Sequence, residues 1–194
     1  LPGLLSGAMR NQNRGTTDLA LFEVGQVFLN DTSEGQRTHA TGIRTATAGA
    51  NGAGRHWQGK SEKVSVYDAK ADLAAVLDAL GTDIEKLQIV SEPAPWSHPG
   101  RGGRIQLGPK VILGWFGELH PSLVAEFDLD GPVAAFEIDL DALPEPRKKA
   151  TRARPALTLS AFQPVNRDFA FVVDETVEAA AILRAARGAD KALI

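Results

Sequence analysis

The sequence predicts an α+β fold, a mostly antiparallel sheet flanked by helices. Three observations point there: β-rich runs joined by short polar connections, helical periodicities interspersed among them without regular βαβ units, and hairpin-like spacing.

Residues 2–14 place Leu4, Leu5, Ala8 and Met9 at helical spacing, and Gly15 supplies a stop, so a short helix is expected. Residues 18–29 hold Leu19, Leu21, Phe22, Val24, Val27 and Phe28, which reads as a largely buried strand with a bulge at Gly25. Residues 30–37 are polar and Gly-bearing, as hairpin loops are, and residues 41–48 alternate small and β-branched side chains before a Gly-rich, mobile loop at 49–54. In residues 68–80, Leu73, Val76, Leu77 and Leu80 fall on one helical face, with Gly81 as cap. Residues 87–90, 104–107, 111–116 and 133–138 read as four further strands, with a short helix at 121–127. Residues 144–164 hold Pro144, Pro146, Pro155 and Pro164 and few large apolar residues, the composition of a linker. Beyond it a strand at 168–173, a helix at 176–187 capped by Gly188 and a second strand from Lys191 give the start of a βαβ unit. The chain opens on Leu1 rather than Met and stops within that last strand, so the reading expects a piece cut at both ends.

With 43% hydrophobic residues the chain has material for a real core, and its longest apolar runs are too short to cross a bilayer. No cysteine is present, which removes disulfides, thiolate metal sites and Cys nucleophiles and fits a reducing cytoplasm. Residues 147–154 hold Arg147, Lys148, Lys149, Arg152 and Arg154 with no acid. Taking these five from the 21 basic residues leaves 16 against 24 acidic ones, a balance of −8 that confines nucleic-acid contact to this segment and argues against an independent nucleic-acid module. The cluster itself reads equally as a phosphate-backbone contact or as solvated linker surface.

The histidines His39, His56, His98 and His120 show no metal-ligand spacing; His98 and His120 each precede a proline and read as turn residues. The string His98-Pro99-Gly100-Arg101-Gly102-Gly103-Arg104 admits two readings, a tight turn feeding a strand or a glycine loop whose Arg101 and Arg104 grip a phosphate. In Gly117-Glu118-Leu119-His120-Pro121, Glu118 is a candidate base, while Trp115 and Phe116 before it read as core or interface anchors. A stand-alone enzyme would join the 100–104 loop to Glu118 or His120 as general base. No serine has the surroundings of a nucleophile elbow.

Taken in order, Leu1-Pro2-Gly3-Leu4-Leu5, Asn11-Gln12-Asn13-Arg14-Gly15, Leu21-Phe22-Glu23-Val24-Gly25-Gln26-Val27-Phe28, His98-Pro99-Gly100-Arg101 and Gly117-Glu118-Leu119-His120-Pro121 resemble the bacterial phenylalanyl-tRNA synthetase beta subunit. The resemblance implies that residues 1–143 form its class II synthetase-like module, which is catalytically silent and packs on an alpha subunit in an α2β2 assembly. That alpha subunit binds ATP and phenylalanine; ATP and magnesium serve the complete enzyme, and no cofactor is implied for this chain. On this resemblance His98, Pro99, Gly100, Arg101, Gly117, Glu118, His120 and Pro121 are a structural signature, not catalytic groups. The silence agrees with the residues, because the stretches compared with the family's ATP-gripping motifs, 19–28 and 114–121, contain no arginine.

Residues 144–160 are then a basic linker, and residues 161–194 resemble the opening of a ferredoxin-like anticodon-binding domain. Asn166 departs from the basic residue often found before its Arg-Asp pair, and Arg167 is the best single tRNA candidate, with an ion pair to Asp168 as the plain alternative. The implied partners are the alpha subunit and tRNA(Phe), in the cytoplasm, with no membrane. The surface meant for the alpha subunit is expected to bring two copies of the isolated chain together.

Overall fold

The computed structural model describes residues 1–49, 52, 57, 59, 61–144, 156, 157, 159 and 161–190. The chain divides into two compact units, Leu1–Lys148 and Lys149–Ile194.

The first unit is built on six strands: β1 (Ala20–Phe28), β2 (Gln36–Thr45), β3 (Gln88–Val90), β4 (Ser97–Leu107), β5 (Val111–Leu119) and β6 (Val133–Asp139). They pair antiparallel throughout, in the order β1-β2-β6-β5-β4-β3. Helix α1 (Pro2–Gln12) and the short α3 (Pro121–Glu126) belong to one apolar cluster, in which Leu4, Leu5 and Ala8 meet Ile43, Val133 and Ala135. Helix α2 (Val66–Ala79) belongs to the other, setting Leu73 and Leu77 against Ala134, Phe136 and Ile138. Successive residues of β6 thus feed opposite faces, as the alternation of a strand requires.

Local chemistry accounts for most boundaries. Ahead of α1 nothing but Pro2 is needed, since its fixed φ suits the first turn; at the other end Gly15 takes φ +88° and donates to Gln12 O at 2.8 Å. Helix α2 opens on a capping box in which the Ser65 N–H donates to the Asp68 carboxylate at 2.8 Å, and it closes at Gly81, φ +78°. Leu80, read as part of the inward face, is exposed instead, because the helix ends at Ala79 and the chain turns away there.

Strand β1 departs most from expectation. It is the sheet edge, not a buried strand: Phe22 is 79% and Phe28 69% exposed. The expected bulge at Gly25 is absent, the register running unbroken from Ala20↔Arg44 to Phe28↔Gln36. An apolar run identifies a strand, but the number of its neighbours is set by long-range pairing. The bulge lies elsewhere. Between Ser97↔Leu119 and Gly102↔Gly117, four residues of β4 stand opposite Glu118 alone. The glycine string therefore lies within a strand, neither a turn before one nor a loop, and both β4 and β5 run longer than their apolar stretches suggested.

Beside the open end of the β1–β2 hairpin, the Asp18 carboxylate accepts from the Thr47 N–H and hydroxyl, both at 2.7 Å. These bonds favour its charged form and hold it below the usual carboxylate range, the side-chain bond contributing most. A depressed carboxyl stabilises the fold above its ordinary pKa, and that contribution disappears as pH falls through the lowered value. Asp18→Ala is therefore expected to melt below the parent chain at pH 6, the gap closing as the pH falls through the lowered pKa of Asp18; thermal scans from pH 6 down into the acid range check this.

In the second unit, residues 168–173 carry no strand ladder among the described residues, contrary to expectation. A strand needs a neighbour to accept its peptide bonds. Phe169 and Phe171 stack at 6.3 Å between ring centroids yet stay largely exposed. Helix α4 (Ala179–Ala189) begins later than residue 176, since Asp174 accepts from the Thr176 N–H and hydroxyl and holds a turn there; Gly188 lies inside the helix rather than capping it. The second expected strand, from Lys191, and most of the Gly-rich stretch at 49–54 lie outside the described residues. Among the described residues no helix is long and apolar enough to cross a membrane.

Candidate functional site

Cross-strand register sets one residue from every strand in a single lateral row: Glu23, Thr41, Glu137, Trp115, Arg104 and Val90. Aligned partners share a face, here the one whose other half is apolar and packed with α1 and α3. The next row holds His39 opposite Asp139, with Arg37 beyond. This polar half of the sheet is the candidate site.

Its charges are committed to one another. Arg37 grips Asp139 with Nε at 3.1 Å and Nη2 at 2.8 Å, and Asp139 also accepts from the Asp141 and Ala142 N–H groups. His39 Nδ1 lies 2.7 Å from Glu137 Oε1, and its Nε2 4.0 Å from Asp139. Arg104 meets Glu92 at 2.5 Å and donates from Nε to Gln106 at 2.9 Å, and Gln106 in turn donates to Gln88. The other two arginines of the strands are paired as well. On the opposite face Arg44 forms a two-pronged bond to Asp72 of α2, which raises its already high pKa, and Arg101 bonds Glu118 at 2.8 Å. All four strand arginines thus hold carboxylates, and the strands contain no lysine.

The signature residues come together as a clasp between β4 and β5. Gly102 pairs with Gly117, where a Cβ on Gly117 would stand 2.9 Å from Ser97 Cβ and 3.0 Å from Arg101 O. His98, followed by Pro99, accepts from the Gly100 N–H at 3.1 Å, and His120 caps α3 by accepting from Ser122 N at 3.2 Å, with Pro121 in its first turn. His120 is a turn residue, as read, whereas His98 lies within β4, at its bulge, and makes its local bond there. Arg101, Arg104 and Glu118 do not converge. Glu118 is registered with Ala134 on the α2 face, whereas Arg104 is registered with Trp115 on the other. Arg101 alone reaches Glu118, and a phosphate pocket in which both Arg101 and Arg104 meet Glu118 is excluded by strand alternation. Phe116 is core, and Trp115 stands half-buried in the polar row.

The chain matches the family described as phenylalanyl tRNA synthetase beta chain CLM domain over residues 1–140. It belongs to that family. The chain is 53% identical to a phenylalanine–tRNA ligase beta subunit of Rhodopseudomonas palustris and 52% identical to one of Mesorhizobium japonicum, in each case over all of its length and 24% of the relative's. The chain thus spans about a quarter of the curated relatives it matches. Two solved structures of pyrrolysyl-tRNA synthetase from Desulfitobacterium hafniense overlay 72% of the chain and 45% of theirs, with TM-scores of 0.52 and 0.50 at 12% and 14% identity. At that identity the likeness concerns fold alone, and it makes the six-stranded sheet of this beta-chain module class II synthetase-like.

Sequence reasoning missed Arg37, His39, Asp139, Arg44 and Asp72 in this family member. Arg37 and Asp139 are 102 residues apart, and nothing local marks them as partners. Of the residues expected to meet tRNA, Arg147, Lys148, Lys149, Arg152 and Arg154 lie outside the described residues, and Arg167 is exposed.

Proposed function

We propose that this chain is the non-reacting docking module of a phenylalanine–tRNA ligase beta subunit, supporting ATP-dependent attachment of phenylalanine to tRNA(Phe) in the cytoplasm. Its partner is the catalytic alpha subunit of an α2β2 enzyme, and ATP and magnesium are used there. The observation carrying this reading is the pairing of every strand arginine with a carboxylate on a class II synthetase-like sheet. A triphosphate needs guanidinium groups aimed at its developing charge. Here Arg37 and Arg104 are bonded to carboxylates, and Glu137 and Glu23 add further negative charge to the same face, so the residues present do not fit a nucleotide phosphate.

The division of labour follows the chain. Residues 1–143 dock, residues 144–160 link, and residues 161–194 begin a ferredoxin-like anticodon-binding domain whose remaining strands would give 168–173 a neighbour. The tRNA contacts proposed are Arg147, Lys148, Lys149, Arg152 and Arg154 of the linker, with Arg167. The measurement that tests the assignment is phenylalanine-dependent exchange of pyrophosphate into ATP. The purified chain is expected to give none, and to co-purify with the alpha subunit, whose exchange it leaves intact. Exchange by the chain alone overturns the reading.

A further inference from the structure

The two edges of the sheet are built differently. Strand β3 has three residues and is followed by Glu92 and Pro93, a blunted edge. Strand β1 has nine residues, no proline and no lysine, and of its exposed positions Ala20, Phe22, Val24 and Phe28 are apolar while Glu23 and Gln26 are polar. Its free hydrogen-bonding side can be assigned. Leu19 O accepts from Thr45 N and Leu29 N donates to Gly35 O, so the odd-numbered peptide groups face β2. With the register unbroken between them, Ala20, Phe22, Val24, Gln26 and Phe28 point their N–H and C=O groups outward.

We propose that β1 pairs antiparallel with β1 of a second copy of this chain, about a twofold axis through Val24. Self-complementarity singles out this occupant and this register. Centred on Val24, the strand sets Phe28 opposite the partner's small Ala20, Phe22 opposite the partner's Gln26 and Val24 opposite the partner's Val24. Glu23, the only charged residue of β1, falls opposite the partner's Gly25, so no like charges face each other. Beside Ala20 lies an apolar groove of about 360 Å³, lined by Phe22, Gly42, Ala75, Val76 and Ala79. That groove is where the partner's Phe28 ring arrives. About ten hydrogen bonds close the ladder, and two six-stranded sheets become one. The inference is independent of the docking role proposed above and stands on the edge strand alone.

The chain contains no cysteine, so a single engineered one reports cleanly. Val24→Cys with diamide is expected to give a covalent dimer, since paired Cα atoms in such a ladder lie about 5.5 Å apart, within disulfide reach. Val111→Cys, on β5 and 39% exposed, serves as control and stays monomeric. In sedimentation velocity the parent chain is expected to associate in the micromolar range, as small edge interfaces do, and Val24→Lys, which sets two ammonium groups face to face, to remain monomeric. A parent chain that stays monomeric, or a Val24→Cys yield no higher than that of Val111→Cys, overturns the proposal. So does a dimer that survives Val24→Lys. If the parent is monomeric and Val24→Lys instead loses capture of the alpha subunit, the edge belongs to that partner and not to a second copy.

Discussion

Gly114→Ala is expected to lower the melting temperature by roughly 10 °C, the consequence of overpacking that costs about 3 kcal/mol in a unit of this size. Gly114 sits in the middle of β5, registered with Ile105 on one side and Ile138 on the other. A Cβ placed there would stand 2.4 Å from Glu137 O and 3.0 Å from Ile138 Cα. Both are backbone atoms of the neighbouring strand, and neither can rotate aside as a flexible side chain would. The only relief is separation of β5 from β6, which strips ladder hydrogen bonds and opens the cluster around Phe136 and Ile138. Gly25→Ala is the matching control. It also lies within a strand, but a Cβ there meets nothing within 4 Å, and its melting temperature is expected to stay at or slightly above the parent's. Calorimetry on the two variants separates a steric requirement for glycine from a general β-propensity effect.

Asp139→Ala should cost about 3 kcal/mol, summing the loss of a charge-assisted bond to Arg37 with the loss of a turn cap. The carboxylate closes three structures at once. It holds the Arg37 fork on β2, accepts from Asp141 N at 3.0 Å and Ala142 N at 3.2 Å to turn the chain out of β6, and stands beside His39. Without it Arg37, only 30% exposed, keeps its charge but loses its partner. Asp139→Asn retains an oxygen for the cap while giving up the ionic fork, and is expected to lose about half as much. Urea midpoints for the pair divide the cost between the fork and the turn. If both variants melt with the parent, the charged row contributes nothing to the fold, and its pairing cannot be what occupies the arginines.

Strand and helix identities were legible because each rests on short-range chemistry. The Leu73/Leu77 spacing, the glycines at positive φ after α1 and α2, and the histidines before Pro99 and Pro121, each accepting from the N–H two residues on, all act within a few residues. The same holds for the missing arginines of 19–28, visible directly in the letters. What could not be read was anything requiring two distant segments to meet. The burial of β1 was misjudged because edge and centre differ only in how many strands arrive. The 98–104 string was misread because a strand can hold glycines when another glycine, here Gly117, stands across from Gly102.

The sequence by itself determined the family, the class of fold and the absence of phosphate-gripping arginines from the stretches compared with the family's motifs, since these are properties of residue identity and local order. Only the tertiary structure decided that the four arginines the strands do carry are all neutralised, that Arg104 and Glu118 face opposite ways, and that β1 keeps an open edge. The physical reason is strand register: one pairing partner, fixed by contacts a hundred residues apart, sets which face and which neighbour every side chain receives.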